Sequence, residues 1–504
     1  MNDLQALIKL LEKHRTSFRD NVGLPTNKRS RLYRLAEGFR SGAFEDDDAA
    51  AQDIYGTDAR HINYKRLKYR LQDRLLYALF LIDPEKSFSN EDNQEYYKVY
   101  QESVICSLLM RMGQGKLSYK IAKRYMKKAE EVNNPYASLS FSRLLRTLSM
   151  RRVDLKKYHY YNERVHYYMD YIKAELMADE YIQLYTLATK NKKIDREEMK
   201  LMTVGFVKNL LEIEINFSPR FFFLKHFMIV LDRMIFNDFA EIKRICAFVI
   251  PTLDQTAQGK LYIHIFYVII LEIHISLKQF TEGKQVALNI LEGQKHNINN
   301  IFTTLTYYGT LCLNTANYQH LGEVLQLFED RGIKTTKIQK HKEDFLIFEV
   351  FYFILIKLNK ITATYPSKEN IRIPKFINEV PVYSKDKYGK NTTILFIHFL
   401  LLLYKDQYGK IVDRVDSLKM YNQRYLRKDE NFRISCFLKM ILLIPKHQFN
   451  PVAIQRHAQP YLEKLKNNPA TELDWRSFNI ELIPYEDYWE LFMEVLNLHL
   501  SPRK

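Results

Sequence analysis

The stretch YYGTLCLNTANYQHLGEVLQLF, residues 307–328, decides how the chain reads. It holds two runs of helical character joined by the short break Asn314-Thr315-Ala316-Asn317. Gly309 stands nine residues before Tyr318, which follows the break. A small residue in the first helix and a ring just past the turn are what two antiparallel helices need to approach closely and then fill the gap between them.

The rest of the chain has the same character. Its 504 residues include 35 Tyr and 31 Phe against only 15 Gly and 14 Pro. So many large rings and so few turn formers predict long helices packed on one another. A single core stops growing at ~250–300 residues. The chain must therefore divide into domains or extend as an array in which each unit contacts its neighbours.

Helical periodicity runs through most of the sequence. Asn2 can cap a first helix with the stripe Leu4, Leu7, Ile8 and Leu11, and a second runs from about Lys28 to Arg40 and stops near Gly42. Glu45 to Asp48 sit at the start of a short helix ending at Tyr55-Gly56, where carboxylates complement the helix dipole and glycine supplies the left-handed cap. Thr57-Asp58 is then read as opening a long helix to about Ile82, closed by Pro84. From Tyr96 onward helices follow one another, broken at 113–115, 133–135, 191–193, 218–219, 255–259, 293, 314–317 and 330–332. The stretch 362–393, with Pro366, Pro374 and Pro381, lacks the period and reads as an irregular insertion or linker. Pro484, Glu486, Asp487 and Glu490 open a closing helix with the apolar face Tyr488, Trp489, Phe492, Val495 and Leu496.

Two segments resemble tetratricopeptide repeats, helical pairs of 34 residues. One is Tyr307 to Phe328. The other is Ile263 to Leu291, with the turn Lys278-Gln279-Phe280 and the small residues Gly283 and Ala287 in its second helix. A weaker match centres on Tyr408. Phe280 and Tyr318 lie 38 apart, longer than the repeat, and position 321 is Leu where the family has a small residue. The resemblance covers about a third of the chain. It implies an all-α, right-handed superhelical solenoid of helix hairpins with a groove for a protein or peptide. The expected organisation is an N-terminal helical module over 1–90, the solenoid over 91–361, the insertion over 362–393, and C-terminal repeats with a capping helix over 394–504. Inter-helix packing accounts for Phe221, Phe222, Phe223 and the tyrosines between 158 and 171 without a ligand.

The net charge of +17 bears on partners rather than on fold. The helices between Lys28 and Ile82 have the outline of a helix-turn-helix module. On the last of them Arg66, Arg70 and Arg74 share a face, flanked by Arg60, Lys65 and Lys68. Lys116, Lys120, Lys123 and Lys127 form a second stripe, and Arg111, Arg143, Arg146, Arg151, Arg152, Lys156 and Lys157 lie nearby in sequence. These residues are candidate contacts for nucleic acid or an acidic partner; the competing reading is a solvated basic face. Asp46 to Asp48 would repel DNA if they lay close.

Motifs of chemistry are missing. Cys106, Cys246, Cys312 and Cys436 are far apart in apolar stretches, as reduced buried thiols are. His159 and His166 could share a helix face, and His264 and His274 lie ten apart, but the H-E-x-x-H signature of a zinc site is absent and no metal is expected. Gly113-Gln114-Gly115-Lys116 lacks the spacing of a phosphate loop, and no nucleophile elbow or dinucleotide fingerprint occurs. No leader is visible, and the apolar stretches 262–277 and 394–404 read as core helices. The expectation is a non-enzymatic cytoplasmic scaffold with no cofactor and no metal, binding a protein or peptide. The alternative is a DNA-binding regulator that joins the N-terminal module to a repeat-type sensor.

Overall fold

A computed structural model of the chain describes residues 3–13, 22–25, 27–80, 82–87, 91–190, 194–214, 218–293, 297–332, 339–366, 390–415, 432–469 and 481–498. These residues form helices joined by turns, and no strand occurs among them. The expected break at 191–193 and most of the 362–393 stretch lie outside the described residues. The chain divides into two compact units, 1–177 with 215–218, and 178–214 with 219–504.

The first unit opens with α1 (Asp3–Lys13), α2 (Arg31–Ser41), α3 (Asp47–Tyr55) and α4 (Ile62–Leu79) around one small core. Local chemistry sets the ends. Ser30 and Asp46 accept from the N–H groups of Tyr33 and Ala49, and Gly42 and Gly56 take the left-handed conformation after α2 and α3. The long helix begins four residues later than the sequence suggests. The Asp58 side chain accepts from the Arg60 N–H in a turn, which leaves His61 as the cap. Pro84 opens α5 (Pro84–Ser87) instead of only closing α4, as proline at a first helical position can. α6 (Glu91–Arg111), α7 (Gly115–Glu131) and α8 (Pro135–Arg151) then pack side by side, and α9 (Leu155–Lys190) follows, its residues from 178 onward belonging to the second unit. The break before α9, at Val153-Asp154, is one that no glycine or proline announces.

The second unit contains α10 (Arg196–Leu211), α11 (Pro219–Ile235), α12 (Phe239–Asp254), α13 (Ala257–Lys260), α14 (Ile263–Ser276), α15 (Phe280–Gly293), α16 (Ile298–Asn314) and a 3₁₀ turn at Tyr318–His320. After it come α17 (Leu321–Asp330), α18 (Gln339–Lys357), α19 (Lys390–Tyr404), α20 (Phe432–Lys446), α21 (Pro451–Lys466) and α22 (Tyr485–Leu498). Helices adjacent in sequence pack on each other, as in α10 with α11, α14 with α15 and α20 with α21. α14 also packs on α16, and α19 on α22.

One turn recurs. Asn237, Lys278, Ala316, Asn359, Asp406 and Gln448 all have positive φ, at intervals of 41, 38, 43, 47 and 42 residues. In five of these turns the next N–H donates back to the carbonyl five residues earlier. The pairs are Asp238 to Arg233, Gln279 to His274, Lys360 to Leu355, Gln407 to Leu402 and Phe449 to Ile444, at 2.8–3.1 Å. This closes the helix end with a left-handed residue, and at 237, 278, 316 and 448 the next helical segment starts after only three or four residues. The first unit uses the same turn at Gly113, Asn133 and Val153.

The core of the second unit explains the rings and the small residues together. A Cβ on Gly283 would lie 2.7 Å from Leu311 Cδ2, and one on Gly309 would lie 2.7 Å from the Phe348 ring. Both glycines therefore mark helix crossings where a neighbour occupies the space of a side chain. Phe437 stacks between Tyr485 and Tyr488, 4.8 and 5.4 Å away, so α22 closes over α20 through rings.

Candidate functional site

The residues of the two basic stripes read from the sequence lie over separate cores. Arg60 and the α4 residues lie beside the core of α1 to α4; the four lysines of α7 lie beside the core of α6 to α8. On α4, Lys65, Arg66 and Arg70 are exposed, as is Arg60 before it. Lys68 and Arg74 are turned to structural work. Lys68 Nζ lies 2.6 Å from Asp47 Oδ2, and Asp47 Oδ1 accepts from the buried Tyr64 hydroxyl at 2.7 Å. Arg74 donates to the Gly23 carbonyl. The acidic start of α3 therefore sits against α4, the arrangement that opposes a phosphate backbone there. On α7, Lys116, Lys120, Lys123 and Lys127 are all exposed, and only Lys127 approaches a carboxylate, Glu131 at 3.6 Å.

A different site was not legible beforehand. α10, α11 and α12 enclose an open cleft of about 660 Å³. Its floor is apolar: Val207 and Leu211 from α10, Ile229 from α11, Ile245 and Phe248 from α12. Leu201, Val204 and Leu211 on α10 and Phe248 on α12 are exposed, so the apolar surface continues out of the cleft. Its rim is charged. Arg244 makes a two-pronged pair with Glu241, at 2.6 and 2.7 Å, while Arg233 lies 3.0 Å from the buried Asp232. Asp238, at the same rim, caps α12 through the Glu241 N–H.

His226 is the one histidine in the cleft. Its ring packs against Phe222 and Phe248, and its Nδ1 is 2.8 Å from the Phe222 carbonyl. Burial holds its pKa below the ordinary value, so the ring is neutral at physiological pH. The cleft is therefore an apolar recess rimmed by paired charges.

All four cysteines are buried, and burial raises their pKa values, to about 11 for Cys106 and about 12 for Cys246. His264 is pushed down to about 4 by burial, and the His274 ring meets Gln279. No group of three or more potential metal ligands occurs among the described residues. One described stretch, 258–276, is long and apolar enough to cross a membrane by length and composition, and 56% of it is buried within the protein.

Comparison with models of known families, with curated proteins and with solved structures finds no match.

Proposed function

We propose that this chain is a non-catalytic helical-repeat protein that binds a peptide segment of a partner protein in the cleft of α10, α11 and α12. The observation that carries the proposal is that cleft: an apolar floor, exposed apolar residues leading into it, and a rim of paired charges. The recurrent turn at intervals near 40 residues supports the repeat reading, since one supersecondary unit used many times builds stacked hairpins with shared grooves. The partner segment would present a large apolar side chain to Phe248 and Leu211 and polar groups to Arg233, Glu241 and Arg244. The alternative of a DNA-binding regulator rests on the exposed part of α4, and the pairing of Lys68 with Asp47 weighs against it.

The test is a displayed random-peptide library panned against the full-length protein, with Phe248→Glu and Leu211→Glu variants as controls. The expected result is a shared pattern of one bulky apolar residue flanked by charged ones, lost in both variants. No enrichment over an unrelated protein, or enrichment that both variants retain, overturns the proposal.

A further inference from the structure

The turn from α6 to α7 and the turn from α8 to α9 lie at the same end of the first unit. Gly115, at the start of α7, sits against α8: a Cβ there would lie 3.3 Å from Leu148 Cδ2. The Arg152 guanidinium, just past α8, lies 3.9 Å over the ring of Tyr119 on α7. Basic residues scattered in sequence therefore converge. Arg111, Lys116, Lys120, Arg151, Arg152 and Lys156 are all exposed here. Within 109–120 and 148–160 the sole carboxylate is Asp154. It is already engaged, 2.5 Å from Lys157 Nζ and accepting from the Lys157 N–H.

The same tip exposes large apolar side chains. Met112 is 74% exposed, Met150 57%, Val153 91% and Leu155 68%, with Leu117 beside them. Val153 is the most informative. It holds the left-handed position of its turn, at φ 55°, where the equivalent turns use Gly113, Asn133, Asn237, Lys278, Ala316, Asn359, Asp406 and Gln448, none of them β-branched. A β-branched residue is strained in that region. Its side chain gains nothing in return from packing, because it projects into solvent. The choice of valine therefore weakens the turn and places a greasy group at the outermost point of a cationic surface.

We propose that this tip is a peripheral docking surface for an anionic lipid membrane. Cations beside apolar residues at projecting turns fit a flat medium with negative headgroups and an apolar interior. A nucleic acid backbone would engage the cations and leave Met112, Val153 and Leu155 in water. A peptide in a groove would need a recess, whereas these side chains project. The mode is interfacial: the turns enter the headgroup region while the helices stay outside.

The experiment is co-sedimentation of the full-length protein with phosphatidylcholine vesicles, with and without phosphatidylserine, across a salt series. The structure calls for binding that requires phosphatidylserine and weakens as salt rises. Val153→Asn suits the left-handed position, so it keeps or raises thermal stability while weakening vesicle binding about tenfold through the lost apolar insertion. Arg151→Glu with Arg152→Glu abolishes binding. Three results would overturn the proposal: no sedimentation with phosphatidylserine vesicles, undiminished binding by Val153→Asn, or tighter binding to duplex nucleic acid that ignores the valine.

Discussion

Glu272 on α14 is 3% exposed and sits in the core of the second unit, where the Tyr307 hydroxyl of α16 donates to its carboxylate. Burial raises its pKa from 4.5 to about 7, with the tyrosine hydrogen bond pulling the other way. Because the folded pKa lies above the unfolded one, the folded state holds an extra proton between them. The stabilising effect of that proton is complete below pH 4.5 and is lost as pH rises through about 7. The displacement corresponds to about 3 kcal/mol of local stability lost over that interval. Glu272→Gln keeps the shape and an oxygen that accepts from Tyr307, but it cannot ionise. The variant should match the parent near pH 4.5 and exceed it by about 3 kcal/mol at pH 8. The chain has two compact units, so global unfolding is a poor probe. Hydrogen exchange of the peptides spanning 263–276 and 298–314, measured from pH 5 to pH 8, isolates the site. Subtracting variant from parent removes every other titrating group. Parallel protection profiles for the two proteins would refute the argument, because they would mean that Glu272 ionises as easily in the fold as in water.

Gly309→Ala should destabilise α16 by about 1–3 kcal/mol through overpacking on Phe348, and Phe348→Leu in the same chain should restore part of it, read as hydrogen exchange of the 298–314 peptide in a double-mutant cycle. Arg433 lies between Glu481 and Glu486, at 2.6 and 2.7 Å, and also donates to the Leu465 carbonyl. Arg433→Met should cost about 3–5 kcal/mol by leaving two half-buried carboxylates facing each other, seen as faster exchange in α21 and α22, with partial recovery on adding Glu481→Gln and Glu486→Gln. Asp47→Asn keeps an acceptor for Tyr64 and releases the charge of Lys68. If the outer face of α4 meets phosphates, duplex DNA binding should tighten and its salt dependence steepen by about one ion; an unchanged salt slope removes α4 as a contact.

The helices were legible because their signals are local. Asp46, Gly42 and Gly56 stand where caps are needed, and the buried residues of α4, Tyr64, Leu67, Leu71, Leu75 and Ala78, recur at helical spacing. The small residues Gly283 and Gly309, read from a family resemblance, lie at close helix crossings. What could not be read depends on packing between distant segments. Nothing in the spacing of Lys68 and Asp47, 21 residues apart, says that they pair. The cleft draws on α10, α11 and α12, and its residues look like ordinary core positions until the helices are placed. The apolar tip was hidden for the opposite reason: Met112, Met150, Val153 and Leu155 resemble buried residues in sequence, and only the structure shows them in water.

The turns themselves show where a local rule gives way to a tertiary or functional one. Asparagine, aspartate and glycine take most of the left-handed positions, as their conformational freedom dictates. Five positions break the rule: Val153, Lys278, Ala316 and the adjacent Gln448 and Phe449. Lys278 has a tertiary reason: its ammonium donates to the carbonyl of Asn314, 2.6 Å away, and so ties the α14–α15 turn to the end of α16. Asn314 in turn donates to the Glu481 carbonyl, so one strained lysine joins three segments. Ala316 is short enough to bear the conformation, and nothing further in the structure explains it. Val153 has the costliest side chain for that backbone and no packing in return. A residue that weakens its own turn and gains no contact within the protein is best accounted for by a contact outside it. Lys278 and Val153 therefore make opposite predictions for asparagine at the same backbone position: Lys278→Asn should loosen the tie to α16 and lower stability, whereas Val153→Asn should raise it.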